Sequence, residues 1–143
     1  MFEPHTTTIK VRFNELDPYG HVNHAQYISY FEHGRTEALE SVGLGLSEMA
    51  EQGYQIVVMD LTAGYKSAAV AGDVLSIETM ISQARRASTI WTQRITKPGD
   101  DGEPQLVATI TIRGGITDAT GKPVKPPVWL FEKLAPIISP SGD

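Results

Sequence analysis

The 143 residues carry 17 Asp and Glu against 12 Lys and Arg, a formal net charge of −5, and no cysteine. That balance argues against nucleic acid as a main partner, and the missing thiols exclude a disulfide framework, a cysteine nucleophile and a zinc–cysteine site. With 41% hydrophobic and 20% charged residues, the composition is that of one folded domain, not of a disordered segment.

In chain order, MFEPHTTTIK lacks the basic and apolar regions of a signal peptide, and no later run approaches the length of a membrane span. A soluble cytoplasmic protein is expected. Met1–His5 reads as an irregular start. Thr8–Asn14 alternates, with Ile9, Val11 and Phe13 on one face, and predicts a half-buried strand. Leu16–Leu39 then organises the rest. Asp17-Pro18 and Tyr19-Gly20 are turn signals, and Asn23 is a helix cap. Tyr27, Ile28, Phe31, Gly34, Ala38, Leu39 and Val42 follow at three- and four-residue steps, one apolar stripe on a helix. Gly43 stands where a left-handed C-cap belongs. A helix from the Asn23 cap to Val42 is about 28 Å long at 1.5 Å per residue.

A short turn of helix is expected at Ser47–Glu51, capped by Ser47 and stopped by Gly53. Strands follow: Gln55–Tyr65, Val74–Ala84, Ser88–Thr96 and Gln105–Asp118. Gly72-Asp73 and KPGDDGEP (97–104) are turns, and Arg85-Arg86-Ala87 reads as a tight connection or bulge. Gly114-Gly115 predicts a bulge or a close backbone approach. A last helix, Val128–Leu134, opens after Pro126-Pro127, and Pro136–Asp143 reads as a tail. One strand, one long helix and about four strands on short turns make an α+β fold with a largely antiparallel sheet. The sheet's edges need covering, and edge-to-edge dimerisation does so economically.

The chemistry concentrates before the long helix. The free amides of its first turn point back into the loop that carries Asp17, and a carboxylate facing unpaired amides can hold and hydrolyse a carbonyl compound. Glu15 is the competing acid, read as a solvated edge charge. His21 and His24 suggest zinc, but no third ligand stands at a recognised spacing, so no metal is expected. His33 is read as surface. Tyr27, Tyr30 and Phe31 are core or interface residues, and Tyr27 can line an acyl tunnel. Gly34 costs about 1 kcal/mol inside a helix, which implies close approach to the sheet or to a partner helix. Arg85 and Arg86 beside Ser88, together with Lys66 and Arg113, are the candidate phosphate-binding groups.

The run Asp17-Pro18-Tyr19-Gly20-His21-Val22-Asn23-His24-Ala25-Gln26-Tyr27, continued by Tyr30-Phe31-Glu32 and Arg35, resembles the hot-dog-fold thioesterases of the 4-hydroxybenzoyl-CoA thioesterase family. A second segment, Ala69-Val70-Ala71-Gly72-Asp73-Val74-Leu75-Ser76-Ile77, resembles that family's small-x-x-Gly-Asp-x-Leu piece. The likeness runs through residues 8 to 134 in element order. It implies a long helix wrapped by a five- to six-stranded antiparallel sheet, and a homodimer with sites at the subunit interface, paired again into a homotetramer. It also implies hydrolysis of a thioester on coenzyme A or an acyl carrier protein, with no cofactor beyond the coenzyme A of the substrate. By position, Asp17 becomes the nucleophile or general base, and the amide at or next to His24 polarises the carbonyl. Asn23, Tyr27, Arg85, Arg86 and Ser88 are the expected substrate contacts. A thioester needs little more than this, because the thiolate leaves without full protonation. Two alternatives stay open: an acyl-CoA-binding protein without turnover, and a hot-dog hydratase. The hydratase pattern fits less well, because Asp17 to His21 is one residue short and no Asn-Pro follows the acid.

Overall fold

The structure, a computed structural model, describes residues 1–85 and 88–140. Five strands form one antiparallel sheet: β1 (His5–Lys10), β2 (Tyr54–Tyr65), β3 (Val74–Ala84), β4 (Ser88–Pro98) and β5 (Pro104–Asp118), in the order β1-β3-β4-β5-β2. Helix α1 (His24–Ser41) lies across the inner face, joined by α2 (Leu46–Gln52) and α3 (Val128–Leu134). Among the described residues, no helix is long and apolar enough to cross a membrane.

The alternation read in β3 faces α1: Leu75, Ile77, Thr79 and Ile81 are fully buried. Their neighbours Trp91, Gln93 and Ile95 of β4 and Ile110 and Ile112 of β5 complete the floor. Cross-strand partners share a face, so register carries this apolar side from strand to strand. The opposite face is rich in threonine and bears ion pairs between Arg94 and Glu78 and between Arg113 and Asp60.

Asn23 caps α1 as expected, its side chain accepting the Ala25 amide at 2.9 Å, and Gly43 takes φ +77° just past the end. Gly34 explains itself by the sheet. A Cβ there would lie 2.6 Å from Ile77 Cγ2 and 3.0 Å from both Gln93 Nε2 and Thr79 Oγ1. Gly34→Ala is therefore expected to lower the thermal unfolding midpoint. Overpacking costs about 1–3 kcal/mol, more than the ~1 kcal/mol that alanine gains in a helix. A midpoint that rises would show the helix free to lift off the sheet.

Gly114 and Gly115 mark a close approach, as expected. A side chain on Gly114 would meet Thr89 Oγ1 at 3.0 Å, and one on Gly115 would meet Met59 Sδ at 2.8 Å. The irregular register lies opposite them in β2, between Val58 and Asp60. Strands β2, β4 and β5 each extend one or two residues beyond the expected ends, and larger differences lie elsewhere. The first strand begins at His5 and ends at Lys10, because Phe13–Glu15 closes into a 3₁₀ turn that leaves Phe13 84% exposed. The short helix starts at Leu46, with Gly45, not Ser47, at its cap. The tail is docked through Ser139: Ala135–Ile137 forms a turn, Ile138 bridges Ile81, and the Ser139 amide donates to the Ile81 carbonyl at 2.8 Å.

Candidate active site

The loop between β1 and α1 is a small hairpin. The Asp17 amide donates to the His21 carbonyl at 2.7 Å, Leu16 bridges Val22, and the Asn23 amide donates to the Glu15 carbonyl at 3.0 Å. Residues 18–20 make the tip, with Gly20 at φ +79°, a conformation that disfavours other residues. A second segment pins the loop from the side: the Val22 amide donates to the Ala69 carbonyl at 2.9 Å, and His21 bridges Val70. The Gly72-Asp73 turn braces that segment. Asp73 Oδ2 accepts the Val70 amide at 2.9 Å and Lys97 Nζ at 3.2 Å.

Asp17 is half-buried in this frame. Its Oδ1 accepts the amides of Tyr19 at 2.9 Å and His21 at 3.1 Å. Among the described residues nothing donates to Oδ2, so one oxygen is anchored and the other has no donor. At the start of α1, Asn23 takes the Ala25 amide with its side chain and the Gln26 amide with its carbonyl. The His24 amide has no acceptor among the described residues. Cap and loop thus leave one N–H uncommitted, a short loop away from an anchored carboxylate.

Three tyrosines wall this end. Tyr27 is 4% exposed, and its hydroxyl oxygen accepts the Ala69 amide at 3.2 Å. Burial pushes the Tyr27 hydroxyl up, with the charges of Asp73 and Asp17 adding to the rise against the Ala69 bond. Tyr27 therefore stays protonated in the electrostatic field of Asp17. Tyr65, at the end of β2, donates to the His24 carbonyl at 3.1 Å and meets the His24 ring edge-on at 6.4 Å. The sequence reading does not single it out, although it closes the β2 run opposite the helix start. Tyr30 donates to Glu15 Oε1 at 2.7 Å.

Glu15 corrects the sequence reading. It is no solvated edge charge but 4% exposed, accepting the Arg12 amide at 2.8 Å and the Arg12 guanidinium at 2.6 and 3.1 Å as well as Tyr30. Its burial raises the carboxyl, and the bonds from Arg12 and Tyr30 outweigh that and hold it below the ordinary value. Buried against Tyr30 and Arg12, it braces the loop. His33 is half-buried, not fully at the surface. His21 contributes backbone groups to the loop while its side chain is exposed. Among the described residues no three His, Asp or Glu side chains converge as an ion site would require.

The basic candidates separate. Arg85 and Ser88 close the β3–β4 hairpin, the Arg85 amide donating to the Ser88 carbonyl at 2.8 Å, and Arg86 lies outside the described residues. Ser88 pairs with Gly115, which pairs with Val57, at the opposite end of the sheet from Tyr65. Within one chain Arg85 and Ser88 are therefore not brought to Asp17. Arg113 is engaged by Asp60 at 2.7 Å. Lys66 is exposed and follows Tyr65 directly, so among the described members of this set it is the one that stands at the Asp17 end.

Helix α1 packs chiefly over β1 and β3, which leaves a trough between it and edge strand β2. One end is His24 and Tyr65. Leu61 and Ala63 continue the floor, since Leu61 pairs with buried Ile112 and Ala63 with buried Ile110. Beyond them lie two adjoining cavities, ≈ 410 Å³ beside Arg35, Val58 and Trp91 and ≈ 380 Å³ among Leu39, Met49, Tyr54 and Ile56.

A long helix across a five-stranded antiparallel sheet, with an acid in the loop that feeds the helix, defines the hot-dog class of fold. The chain belongs to the thioesterase-like superfamily, whose family model matches residues 11–134. It is 35% identical over 142 residues, 99% of its length and 66% of the relative's, to the chloroplastic acyl-acyl carrier protein thioesterase ATL3 of Arabidopsis thaliana. It is also 35% identical over 106 residues, 74% of its length and 77% of the relative's, to the long-chain acyl-CoA thioesterase FadM of Escherichia coli. The chain thus spans just under two thirds of the length of the plant relative. In fold it is similar to 4-hydroxybenzoyl CoA thioesterase from Pseudomonas sp. strain CBS-3, with a TM-score of 0.81 at 22% identity over 92% of this chain and 99% of that one.

Proposed function

We propose that the protein hydrolyses long-chain acyl thioesters of coenzyme A or acyl carrier protein to the free acid and thiol. The observation that carries this is the pairing of an Asp17 carboxylate, anchored by one oxygen and open at the other, with an uncommitted amide at the head of α1. In this reading the His24 amide donates to the thioester carbonyl oxygen as charge develops there. Asp17 either adds its open oxygen to the carbonyl carbon or takes a proton from the water that does so. The carbon–sulfur bond then breaks and its electron pair leaves with the thiolate; water's hydroxyl gives the acid directly in the base route, and in the nucleophile route it does so by hydrolysing the acyl–Asp17 anhydride, which returns the free carboxylate. The apolar trough along α1 takes the acyl chain, and Tyr27 and Asn23 border the reacting end. The relatives' names support long acyl chains and both thiol carriers.

The exposed apolar residues of β2, Val58 at 49%, Met59 at 52% and Leu61 at 41%, support a homodimer formed edge to edge through that strand. A two-fold axis there sets the Arg85–Ser88 end of one copy against the Asp17 end of the other, so a phosphate clamp on Arg85, Arg86 and Ser88 would serve the partner's substrate, with Lys66 contributing in the same chain. Pairing of two dimers into a tetramer completes this reading. Light scattering should return two or four chain masses; a monomer at micromolar concentration removes the shared site.

The test of the reaction is thiol release from a series of saturated acyl-CoAs and acyl carrier proteins. Turnover that rises with chain length is expected. Tight binding without thiol release would make the protein a carrier, and hydration of an enoyl-CoA would make it a hydratase.

A further inference from the structure

Arg35 is out of place in the trough. It lies 11 residues beyond His24, about 16 Å along the helix axis at 1.5 Å per residue. At about 100° per residue, His24, Ile28, Arg35 and Leu39 fall within about 60° of one another, on one strip of α1. That strip borders the trough, and the cavity beside Arg35 is otherwise mostly apolar: Leu39, Leu46, Val57, Trp91 and Ile112 line it. Arg35 is half-buried, an arginine cannot shed its charge by losing a proton, and withdrawing its donors from water without acceptors is costly. Yet no carboxylate among the described residues lies within 4.0 Å of its guanidinium.

The side chain is nonetheless held in place. Arg35 Nη1 donates to Gln93 Oε1 at 3.0 Å. Gln93 is 1% exposed, and its own amide donates to the Phe31 carbonyl and to Thr79 Oγ1, both at 2.9 Å. These bonds fix which way the Gln93 oxygen faces, and so aim the guanidinium. Its remaining donors meet no acceptor among the described residues. Burial lowers the Arg35 guanidinium from its usual value, and Glu32 opposes that. Glu32 lines the same cavity, exposed, one turn earlier. A fixed multi-donor cation with an acceptor nearby suits a hydroxyl, which accepts from Arg35 and can donate to Glu32. A second carboxylate would meet the charge of Glu32.

We infer that Arg35 is a specificity-determining residue, reading a hydroxyl group carried far along the acyl chain of the substrate. This rests on the thioesterase reading above and on an acyl chain that runs from the His24 end down the trough. Helical side chains lean towards the N-terminus, so the guanidinium reaches a point about 10–16 Å from the helix start. At roughly 1.3 Å of advance per carbon, from C–C bonds of ~1.5 Å, that is roughly eight to twelve carbons from the thioester. The substrate class is an acyl thioester that carries a hydroxyl about eight to twelve carbons from the carbonyl.

The experiment compares kcat/KM for dodecanoyl-CoA, 3-hydroxydodecanoyl-CoA, ω-hydroxydodecanoyl-CoA and the ω-carboxyl analogue, with the wild-type protein and with Arg35→Met and Arg35→Lys. The wild type should favour the ω-hydroxyl chain over the plain one by about tenfold or more, as a hydrogen bond to a charged group allows, with no gain for the 3-hydroxyl. Arg35→Met should abolish that preference, read as the ratio of kcat/KM for the two chains, and Arg35→Lys should restore part of it. Equal rates on all chains in the wild type, a preference that survives Arg35→Met, or a stronger preference for the ω-carboxyl chain would overturn the assignment while leaving the thioesterase reading intact. So would dissociation of the oligomer by Arg35→Met with no wild-type preference, which would place a carboxylate of a second copy against Arg35. Failure to hydrolyse any of the four acyl-CoAs, or their carrier-protein forms, would remove the thioesterase reading itself and this inference with it.

Discussion

Asp17→Asn is expected to cut kcat for acyl thioester hydrolysis by about 10²–10⁴-fold, the range for loss of a positioned base, while leaving KM within a few-fold. The substitution is informative because of how the carboxylate is held. Oδ1 accepts the amides of Tyr19 and His21, and an asparagine oxygen can accept both. The loop, the cap at Asn23 and the uncommitted His24 amide therefore keep their geometry, and only the anionic oxygen is lost. Thermal unfolding should stay within a degree or two of the wild type. Asp17→Ala should show the same loss of rate together with a lower midpoint, because two loop amides then lack an acceptor. Steady-state thiol release and a melting curve on each variant check both halves. Full activity in the Asp17→Asn variant would mean that the carboxylate is only a turn residue and that catalysis, if present, lies elsewhere.

That distinction was partly legible in the chain itself. The turn signals, the Asn23 cap and the apolar stripe are local patterns. They place Asp17 next to the start of α1 because a short loop tip cannot carry it far away. The alternation in β3 and the bounds of α3 are local in the same sense, and they match residue for residue. What failed depends on partners distant in the sequence. Glu15 looks like an edge charge until Tyr30, 15 residues on, reaches it from the helix. Arg35 stands in the sequence only as part of a motif, and what holds it is Gln93, 58 residues away. Tyr65 belongs to the site only because β2 runs antiparallel to α1 and ends at His24. The extension of strand 1 to Asn14 failed for a different reason: hydrophobic alternation cannot distinguish a strand from a 3₁₀ turn that exposes Phe13.

Glu15→Ala should be the most destabilising single change in the loop, by about 2–4 kcal/mol. Tyr30 is 1% exposed, and its hydroxyl would lose its acceptor inside the core, about 1–3 kcal/mol by itself. The Arg12 amide loses its acceptor as well. The ion pair adds little, because the Arg12 side chain is 68% exposed and solvent screens it. Glu15→Gln keeps an acceptor oxygen for Tyr30 and removes only the charge, so about 1 kcal/mol is expected at neutral pH. The pH dependence separates charge from packing. The folded carboxyl sits below its ordinary value of 4.5, so its contribution is complete above that pH and is lost as pH falls through the folded value. Urea unfolding of the wild type and Glu15→Gln should therefore differ at pH 7, begin to draw together as pH falls past 4.5, and converge only below the folded value. If the two curves ran parallel across that range, the charge of Glu15 would not contribute to the fold. Because the Glu15 carbonyl also accepts the Asn23 amide, the Ala variant should loosen the approach of Asp17 to the helix start. Its kcat should then fall, but by less than that of Asp17→Asn, since the Asp17 carboxylate, the proposed nucleophile or base, is still present.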